Sequence, residues 1–296
     1  MISRPGKVSL MLTFRHVLNL NGTCMTGSPS KSLFEANIIS DSTYVRSMKE
    51  AYYNLSMNRL NTSEFFDQLR AEMATGGQVV VNFVNAHCFN IAQVDMEYRK
   101  ALNSSTFVLN DGVGIQIGAS LLGFRFQENM NGTDLIPKIL STPKLCEKGV
   151  YLLGAKPEVV AKASREIQAR CPQAPVVGYS DGYFKDTDEI LKKINDSGAQ
   201  VLIVAMGVPM QELWVENNRH ALPGVRLIVS GGAIFDFLTG TVARAPVWIQ
   251  KAGFEWLFRL AQEPRRLFRR YAVGNVVFLF KVLKLRIKMS RPIGDG

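Results

Sequence analysis

Short apolar runs that alternate with helical segments constrain the fold of this 296-residue chain more than any other feature. The runs occupy residues 78–84, 106–109, 149–153, 175–178, 200–205 and 225–229. Segments with helical spacing, such as residues 158–170 and 187–196, lie between them. Strands that are apolar on both faces and separated by helices are typical of a parallel sheet covered on both sides. We therefore predict a doubly wound, mostly parallel, Rossmann-like α/β domain over residues 46–240.

The segments that flank this domain differ from it in pattern and charge. Residues 1–45 show no sustained hydrophobic period, and we expect a mobile N-terminal extension there. Residues 47–74 are predicted to be helical, with a capping signal at residues 61–64. Residues 241–296 are predicted to form a basic helical appendage, because residues 240–296 carry 12 Lys and Arg against three Asp and Glu. Nearly all of the net charge of +10 therefore lies in the last fifth of the chain.

Composition excludes several classes of protein. Hydrophobic residues make up 47% of the chain, which is enough to bury a core and excludes a disordered protein. No uncharged apolar run approaches the roughly 20 residues of a spanning helix, so a polytopic membrane protein is not expected. The four cysteines have no CxxC spacing, which argues against a disulfide scaffold or a structural zinc site. The first residues make a poor signal peptide, and we expect a cytosolic chain.

Glycines and polar residues collect where the predicted strands end. They occur at residues 85–87, 110–114, 154–157, 207–212 and 230–232. In doubly wound sheets, ligands bind outside the carboxyl ends of the strands. Glycine lets the backbone approach a ligand there, and the following helix N-termini offer free N–H groups to an anion. These strand ends therefore predict a site for a nucleotide diphosphate.

Six motifs occur along the chain in a definite order. They are VLNDGVGIQIG (residues 108–118), NGTDLIP (131–137), MGVPMQE (206–212), SGGAIFDFLTG (230–240), RAPVWIQKAGFEWLFRLAQEPRR (244–266) and RRY (269–271). Together they resemble the WecG/TagA/CpsF family of bacterial glycosyltransferases over about residues 60–280. The resemblance implies inverting, metal-independent sugar transfer, without a cofactor, from a UDP-sugar to a saccharide on undecaprenyl diphosphate. It also implies a peripheral enzyme of surface or exopolysaccharide biosynthesis at the cytoplasmic face of the bacterial inner membrane.

The resemblance assigns Asp111 as the general base. A carboxylate there would take the proton of the acceptor hydroxyl while the anomeric carbon is attacked from the opposite face. The residues alone offer a second interpretation, in which Asp111 caps a helix that starts near Gly112. The two roles are compatible.

The remaining candidate substrate-binding residues follow the same strand ends and motifs. The amide of Gln211 can bridge sugar or diphosphate oxygens, since it offers both donors and an acceptor. A strand-to-helix turn also explains its neighbours, with Pro209 at the first helical position and Glu212 complementing the helix dipole. The predicted set is Asn85, His87, Gly112, Gly114, Asn131, Thr133, Asp134, Gly207, Pro209, Gln211, Glu212, Gly231, Gly232 and Asp236.

Two of these predictions have structural alternatives. The segment from Asn131 to Asp134 can hold a sugar through Asn131 and Thr133, or it can form a turn with a helix N-cap at Thr133 or Asp134. His87, beside Asn85 at a strand end, is either a sugar contact or a packing histidine.

Two departures from the family pattern bear on the donor sugar. Phe83 stands where many members carry Thr, and residues 128–130 read Glu-Asn-Met where many carry an Arg. Both positions are associated with members that use acetamido sugars. We therefore expect a hexose donor such as glucose, as in the exopolysaccharide branch with its xanthan-type glucosyltransferases. N-acetylmannosamine is the alternative.

One short motif that is present and one that is missing bear on other classes of enzyme. Residues 186–188 spell DxD, a metal–diphosphate signature of another glycosyltransferase fold, yet acidic residues are expected where a helix opens. We assign no metal site there. A nucleotide-sugar-modifying enzyme of the Rossmann type would need a G-x-G-x-x-G loop after its first strand, and this chain has none.

The basic tail mixes cations with aromatic residues, a pattern typical of helices that lie at an anionic bilayer surface. Its arginines can also neutralise a diphosphate without a metal; the predicted set is Arg244, Arg259, Arg265, Arg266, Arg269 and Arg270. The alternative is packing on the sheet with solvated charges. A competing function is a non-catalytic basic module that binds lipid or nucleic acid through the tail, but it leaves Asp111 and Gln211 unexplained. We expect a UDP-sugar, a lipid-linked acceptor and an anionic membrane as partners, and no nucleic acid, with a homo-oligomer left open.

Overall fold

A six-stranded parallel sheet forms the centre of the computed structural model, which describes residues 49–52 and 54–289. The strands are β1 (Lys49–Tyr52), β2 (Leu55–Asn58), β3 (Val79–Val84), β4 (Phe107–Asn110), β5 (Val150–Gly154), β6 (Val176–Ser180), β7 (Val201–Ala205) and β8 (Leu227–Ser230). The sheet order is β4-β3-β8-β7-β5-β6, and every pairing in it is parallel. The predicted α/β class is confirmed. The extension predicted over residues 1–45 lies outside the described residues.

Helices connect the strands and cover both faces of the sheet. They are α1 (Thr62–Ala74), α2 (Ala86–Ala92), α3 (Met96–Asn103), α4 (Val113–Leu121), α5 (Gly132–Ser141), α6 (Pro157–Arg170), α7 (Thr187–Asp196), α8 (Met210–Asn218), α9 (Ile234–Leu238), α10 (Val247–Lys251), α11 (Glu255–Gln262), α12 (Pro264–Phe268) and α13 (Gly274–Met289). A 3₁₀ turn (Arg219–Ala221) follows α8, and a π-helical turn (Arg269–Val273) joins α12 to α13.

The strands form because their apolar runs are buried on both faces. Every residue of β3, β4, β5, β7 and β8 is buried, whereas the edge strand β6 alternates between partly buried and exposed residues. Burying each Val, Leu or Ile side chain contributes about 1.5–3 kcal/mol. Because all six strands run in the same direction, their carboxyl ends meet at one edge of the sheet, where the candidate residues follow them.

The helix predicted over residues 47–74 is only partly correct. Residues 62–74 form α1, and Asn61 and Glu64 make the predicted capping box. Residues 49–52 and 55–58 instead form the antiparallel strands β1 and β2 of a hairpin. Leu55 and Met57 are buried, and this period-two spacing is typical of a strand. Asn58 Oδ1 accepts a hydrogen bond from Val108 N at 2.8 Å, which fastens the hairpin to β4.

The C-terminal helix packs against α2 and α4 on one side of the sheet. Phe278 and Val282 of α13 are buried there, and the Phe278 ring meets the Phe89 ring edge to face at 5.2 Å. Asn90 Nδ2 donates to Gly274 O at 2.7 Å and ties the start of α13 to α2. The helical character predicted for the appendage at residues 241–296 is confirmed between residues 247 and 289 by α10 to α13. Within the described residues, no helix combines the length and apolar character needed to cross a bilayer.

Candidate active site

Asp111 lies at the ends of two neighbouring strands, where backbone and side chain are both held. Its N–H donates to Val84 O at 2.9 Å, across from β4 to β3. Asn85 caps α2, since its Oδ1 accepts the N–H groups of His87 and Cys88 at 3.1 and 3.2 Å. The cap turns Asn85 Nδ2 toward Asp111 Oδ2, at 3.4 Å. The structure therefore brings together three of the predicted site residues, Asn85, His87 and Asp111.

The carboxylate of Asp111 does not cap the following helix. Gly112 is the N-cap residue of α4, and no side chain makes a capping hydrogen bond there. Gly112 has φ +89°, which favours glycine, and its N–H donates to Asn129 Oδ1 at 2.7 Å. The helix-cap interpretation of Asp111 is therefore wrong. The carboxylate is free of that role, and the contribution of Asn129 was not foreseen.

Burial and nearby cations set the protonation of this corner. Burial raises the pKa of Asp111, while the Asn85 hydrogen bond and the charges of Arg270 and Arg259 oppose that rise. Burial, followed by the charge of Arg270, lowers the pKa of His87 to about 4, so its imidazole is neutral at pH 7. A carboxylate with a raised pKa is a stronger base than an exposed one.

Gln211 joins the loops that follow β7 and β8. Its side chain is 3% exposed, and its Oε1 accepts the N–H groups of Gly207 at 3.2 Å and Gly232 at 3.0 Å. Its Nε2 donates to Glu212 Oε1 at 2.8 Å. Pro209 directly precedes α8, one position before the predicted place, after a cis peptide bond with Val208. The Gln211 amide was predicted to bind sugar or phosphate oxygens, but here it forms its hydrogen bonds with groups of the protein.

A chain of charged groups links α5 to α11. Asn131 is the N-cap of α5, since its Oδ1 accepts Asp134 N at 2.9 Å, while its Nδ2 donates to Asp134 Oδ2 at 2.8 Å. Arg244 Nη1 donates to Asp134 Oδ1 at 2.5 Å, and Arg244 Nε lies 3.6 Å from Glu255 Oε1. The bond from Arg244 holds the pKa of Asp134 below its usual range. A turn with a helix cap is present as the alternative predicted, but the cap residue is Asn131 and not Thr133 or Asp134.

Two arginines of the tail act on the Asp111 corner. Arg259 of α11 lies over the Phe237 ring at 4.9 Å, and Arg270 of the π-helical turn lies 5.6 Å from the Tyr271 ring centroid. The Nε atom of each is buried and has no hydrogen-bond partner among the residues that the structure describes. Both charges reach Asp111, and that of Arg270 also reaches His87. Buried donors without a partner beside a carboxylate are suited to receive an anionic ligand.

The remaining predicted residues divide between packing and surface positions. Gly114 lies in α4 against Ala86, whose Cβ would be 3.5 Å from a side chain added there. Gly231 donates to Val204 O at 2.7 Å and has Ile234 close by, so it also serves packing. Thr133 and Asp236 are partly buried, and burial raises the pKa of Asp236.

The other tail arginines lie at the surface. Arg265, Arg266 and Arg269 are exposed, and Arg266 pairs with Glu263 at 2.5 Å. They are therefore less closely tied to the Asp111 corner than Arg259 and Arg270 are.

The residues of the DxD motif cap a helix. Asp186 Oδ1 accepts the N–H groups of Asp188 at 2.9 Å and Glu189 at 3.2 Å, which starts α7 as predicted. Within residues 49–52 and 54–289, His, Cys, Asp and Glu form no group of three or more that could hold a metal ion.

A cavity that sequence reasoning missed opens at the ends of β5 and β6. It measures about 350 Å³, and its lining includes Tyr179, Asp181, Phe184 and Lys185. None of the predicted site residues lines it. The signal was the run YSDGYF at residues 179–184, which places aromatic and acidic side chains directly after a strand.

Comparison with known proteins gives a consistent result. Residues 51–292 match the model of the glycosyl transferase WecG/TagA/CpsF family. A Bacillus subtilis (strain 168) protein is 32% identical over 238 residues, which cover 79% of this chain and 91% of that protein. A Bacillus spizizenii protein is 33% identical over 205 residues, covering 69% and 79%. Both are named N-acetylglucosaminyldiphosphoundecaprenol N-acetyl-beta-D-mannosaminyltransferase.

Proposed function

The chain belongs to the WecG/TagA/CpsF family and is a glycosyltransferase; we propose that it transfers N-acetylmannosamine from a UDP-linked donor to N-acetylglucosaminyl-diphosphoundecaprenol. Two relatives that share about a third of its residues are named for this transfer. Neither name gives glucose as the transferred sugar, so the sequence-based preference for a glucose donor finds no support and is replaced. The observation that carries the proposal is the corner formed by Asp111, Asn85 and the tail arginines.

The two departures from the family pattern are compatible with an acetamido donor. The Phe83 ring packs beneath the start of α5, where a Cβ on Gly132 would come within 3.2 Å of it. Asn129 binds the backbone of Gly112. Both side chains therefore make contacts within the scaffold, and these two departures do not by themselves assign a hexose donor.

The proposed reaction is an inverting displacement. The acceptor hydroxyl gives its proton to the Asp111 carboxylate while its oxygen bonds to the anomeric carbon. The bond from that carbon to the diphosphate oxygen breaks, and the electron pair leaves with UDP. The guanidinium groups of Arg259 and Arg270 stabilise the charge that develops on the leaving diphosphate. These cations support a transfer that proceeds without a metal.

The donor lies along the carboxyl edge of the sheet in this proposal. The loops after β7 and β8, which include Gly207 and Gly232, border the diphosphate. The cavity at the β5 and β6 ends has the volume to take the nucleoside, with Phe184 as an apolar wall and Asp181 as an acceptor for ribose hydroxyls.

The tail supports a peripheral place at an anionic membrane. Its large side chains are unusually exposed: Val247, Trp248, Phe254, Leu257, Phe268, Val273, Val276, Val277, Leu279, Phe280, Leu283, Ile287 and Met289. Val276, Phe280, Leu283 and Ile287 form a stripe at helical spacing along α13, opposite its packed face. Exposed cations, including Lys284 and Lys288, lie beside the stripe. Apolar side chains combined with cations favour the surface of an anionic bilayer.

A panel of donors tests the proposal. Purified protein is incubated with acceptor vesicles, EDTA and, in turn, UDP-N-acetylmannosamine, UDP-N-acetylglucosamine or UDP-glucose. We expect transfer only from UDP-N-acetylmannosamine, at a rate that EDTA does not change. Transfer from UDP-glucose alone would restore the hexose assignment. Binding of vesicles or nucleic acid without transfer from any donor would favour the basic binding module.

A further inference from the structure

We infer that Glu212 is a positioning residue that fixes the orientation of the Gln211 amide and thereby holds the loops after β7 and β8 in their relative places. The inference rests on the proposed function, since these loops border the proposed donor site. It departs from the sequence-based expectation, in which Gln211 and Glu212 both contact the substrate.

The contacts of Gln211 admit only one orientation of its amide. One end meets two backbone donors, Gly207 N at 3.2 Å and Gly232 N at 3.0 Å, so it must be the oxygen. The other end is then the NH₂ group, which needs an acceptor. Glu212 Oε1 lies 2.8 Å away and is that acceptor. A flipped amide would place NH₂ against two N–H groups and its oxygen against a carboxylate, so Glu212 acts together with the two glycine N–H groups to fix the orientation.

The two loops need such a tie because glycine gives them a permissive backbone. Gly207 has φ +85° and Gly232 has φ +57°. Glycine adopts these conformations and many others at little cost, so it does not by itself fix the path of either loop. Gly231 N already donates to Val204 O at 2.7 Å, which fixes the root of the second loop to β7. The Gln211 oxygen adds a bond farther along each loop. It acts as one acceptor shared by the two loops, and it sets their separation.

Glu212 is too deeply placed to touch a substrate. Its side chain is 1% exposed, and within residues 49–52 and 54–289 its Oε2 has no hydrogen-bond partner. Burying a carboxylate with an unsatisfied oxygen costs stability, which an apolar residue of similar size would avoid. The contact that it makes is with Gln211, so its effect on the reaction passes through that amide.

Matched variants distinguish the effect of losing the hydrogen-bond acceptor on residue 212 from the effect of losing its negative charge. Glu212→Gln keeps an oxygen that can accept from Gln211, whereas Glu212→Met keeps the volume and removes the acceptor. In the full-length protein without substrate, we expect the amide hydrogens of Gly207 and Gly232 to exchange about tenfold faster in the Met variant than in the wild type. In the Gln variant, they should exchange at wild-type rates. In steady-state kinetics, the KM for the UDP-sugar should rise about tenfold in the Met variant alone, with the KM for the acceptor unchanged. Glu212→Met combined with Gln211→Met should be no worse than either single change.

Two results would overturn the inference. One is unchanged exchange at both glycines in a folded Met variant; the other is a Gln variant as impaired as the Met variant, which would make the charge the essential property. Should Glu212→Met fail to fold, Glu212→Leu provides the same test, since it also removes the acceptor of the Gln211 NH₂ group. The exchange measurement needs no activity. A protein inactive with every UDP-sugar would therefore refute the proposed function while the exchange rates still judge the role of Glu212.

Discussion

The Asn85 side-chain amide lies 3.4 Å from the Asp111 carboxylate, across the ends of β3 and β4. Because Asn85 Oδ1 is engaged in capping α2, its NH₂ group is the part that faces Asp111. Because Asn85 caps α2, its side chain is held so that its NH₂ group donates a hydrogen bond to Asp111, the proposed base. This donor also opposes the rise that burial causes in the pKa of Asp111.

Replacing Asn85 with Asp should shift the acid limb of the rate profile to higher pH. The variant keeps an oxygen for the helix cap but puts a second carboxylate beside Asp111, which raises the pKa of Asp111. A base must be unprotonated to act, so activity is lost at a higher pH than in the wild type. The measurement is kcat/KM against pH. Asn195→Asp, far from the site, should leave the acid limb in place, and an unmoved limb in the Asn85 variant would argue against Asp111 as the base.

Arg270→Gln should shift the same limb in the same direction and slow the reaction. The charge of Arg270 lowers the pKa of Asp111, so its removal raises that pKa. The variant also loses a cation that stabilises the leaving diphosphate, and we expect kcat to fall about 100-fold. Arg165→Gln removes an equal charge from the exposed face of α6 and serves as the control. Equal profiles for the two variants would contradict the placement of Arg270.

Glu212→Gln should stabilise the protein at alkaline pH more than at acidic pH. Burial raises the pKa of Glu212 from 4.5 to about 7. The folded protein therefore holds a proton that the unfolded chain releases between these values, and its free energy of unfolding falls as the pH rises through them. The Gln variant does not lose stability in this way. Its free energy of unfolding, compared with that of the wild type, should therefore rise by about 2–3 kcal/mol between pH 5 and pH 8. Urea denaturation at both pH values measures it; an advantage independent of pH would contradict the raised pKa.

The outward stripe of α13 should govern membrane binding. Phe280→Ser combined with Ile287→Ser removes two exposed apolar side chains without touching the packed face. We expect partitioning onto phosphatidylglycerol vesicles to weaken at least about tenfold, because each large apolar side chain contributes roughly 2 kcal/mol when buried. Val177→Ser, on the exposed edge strand β6, is the matched control. If the control loses as much binding as the double variant, or if the double variant loses none, the stripe does not govern membrane binding.

The sheet could be predicted because its signal is local. The apolar runs at residues 78–84 and 200–205 became β3 (Val79–Val84) and β7 (Val201–Ala205), since burial on both faces requires continuous apolar sequence. The strand pair at residues 49–52 and 55–58 was missed because two four-residue strands are too short for their alternation to outweigh a neighbouring helix signal.

The contacts within the site could not be predicted in the same way. Arg244 and Asp134 pair across 110 positions, and Gln211 reaches Gly232 across 21, so only the fold brings them together. Asn129 carried no motif of its own, and its role depends on the positive φ of Gly112. Sequence reasoning located the strand ends where the candidate site residues lie; which side chains bind each other there depended on packing.

Transfer by purified protein to a single defined acceptor tests the central claim most directly. The wild type and Asp111→Asn are compared with UDP-N-acetylmannosamine and N-acetylglucosaminyl-diphosphoundecaprenol, and the product linkage is determined by NMR. Asparagine keeps the shape of the side chain but cannot take a proton, so we predict a β-linked disaccharide from the wild type and a rate at least about 100-fold lower from the variant, with equal thermal stability. A variant that transfers at the wild-type rate, or a wild type that leaves this acceptor unmodified, would contradict the account.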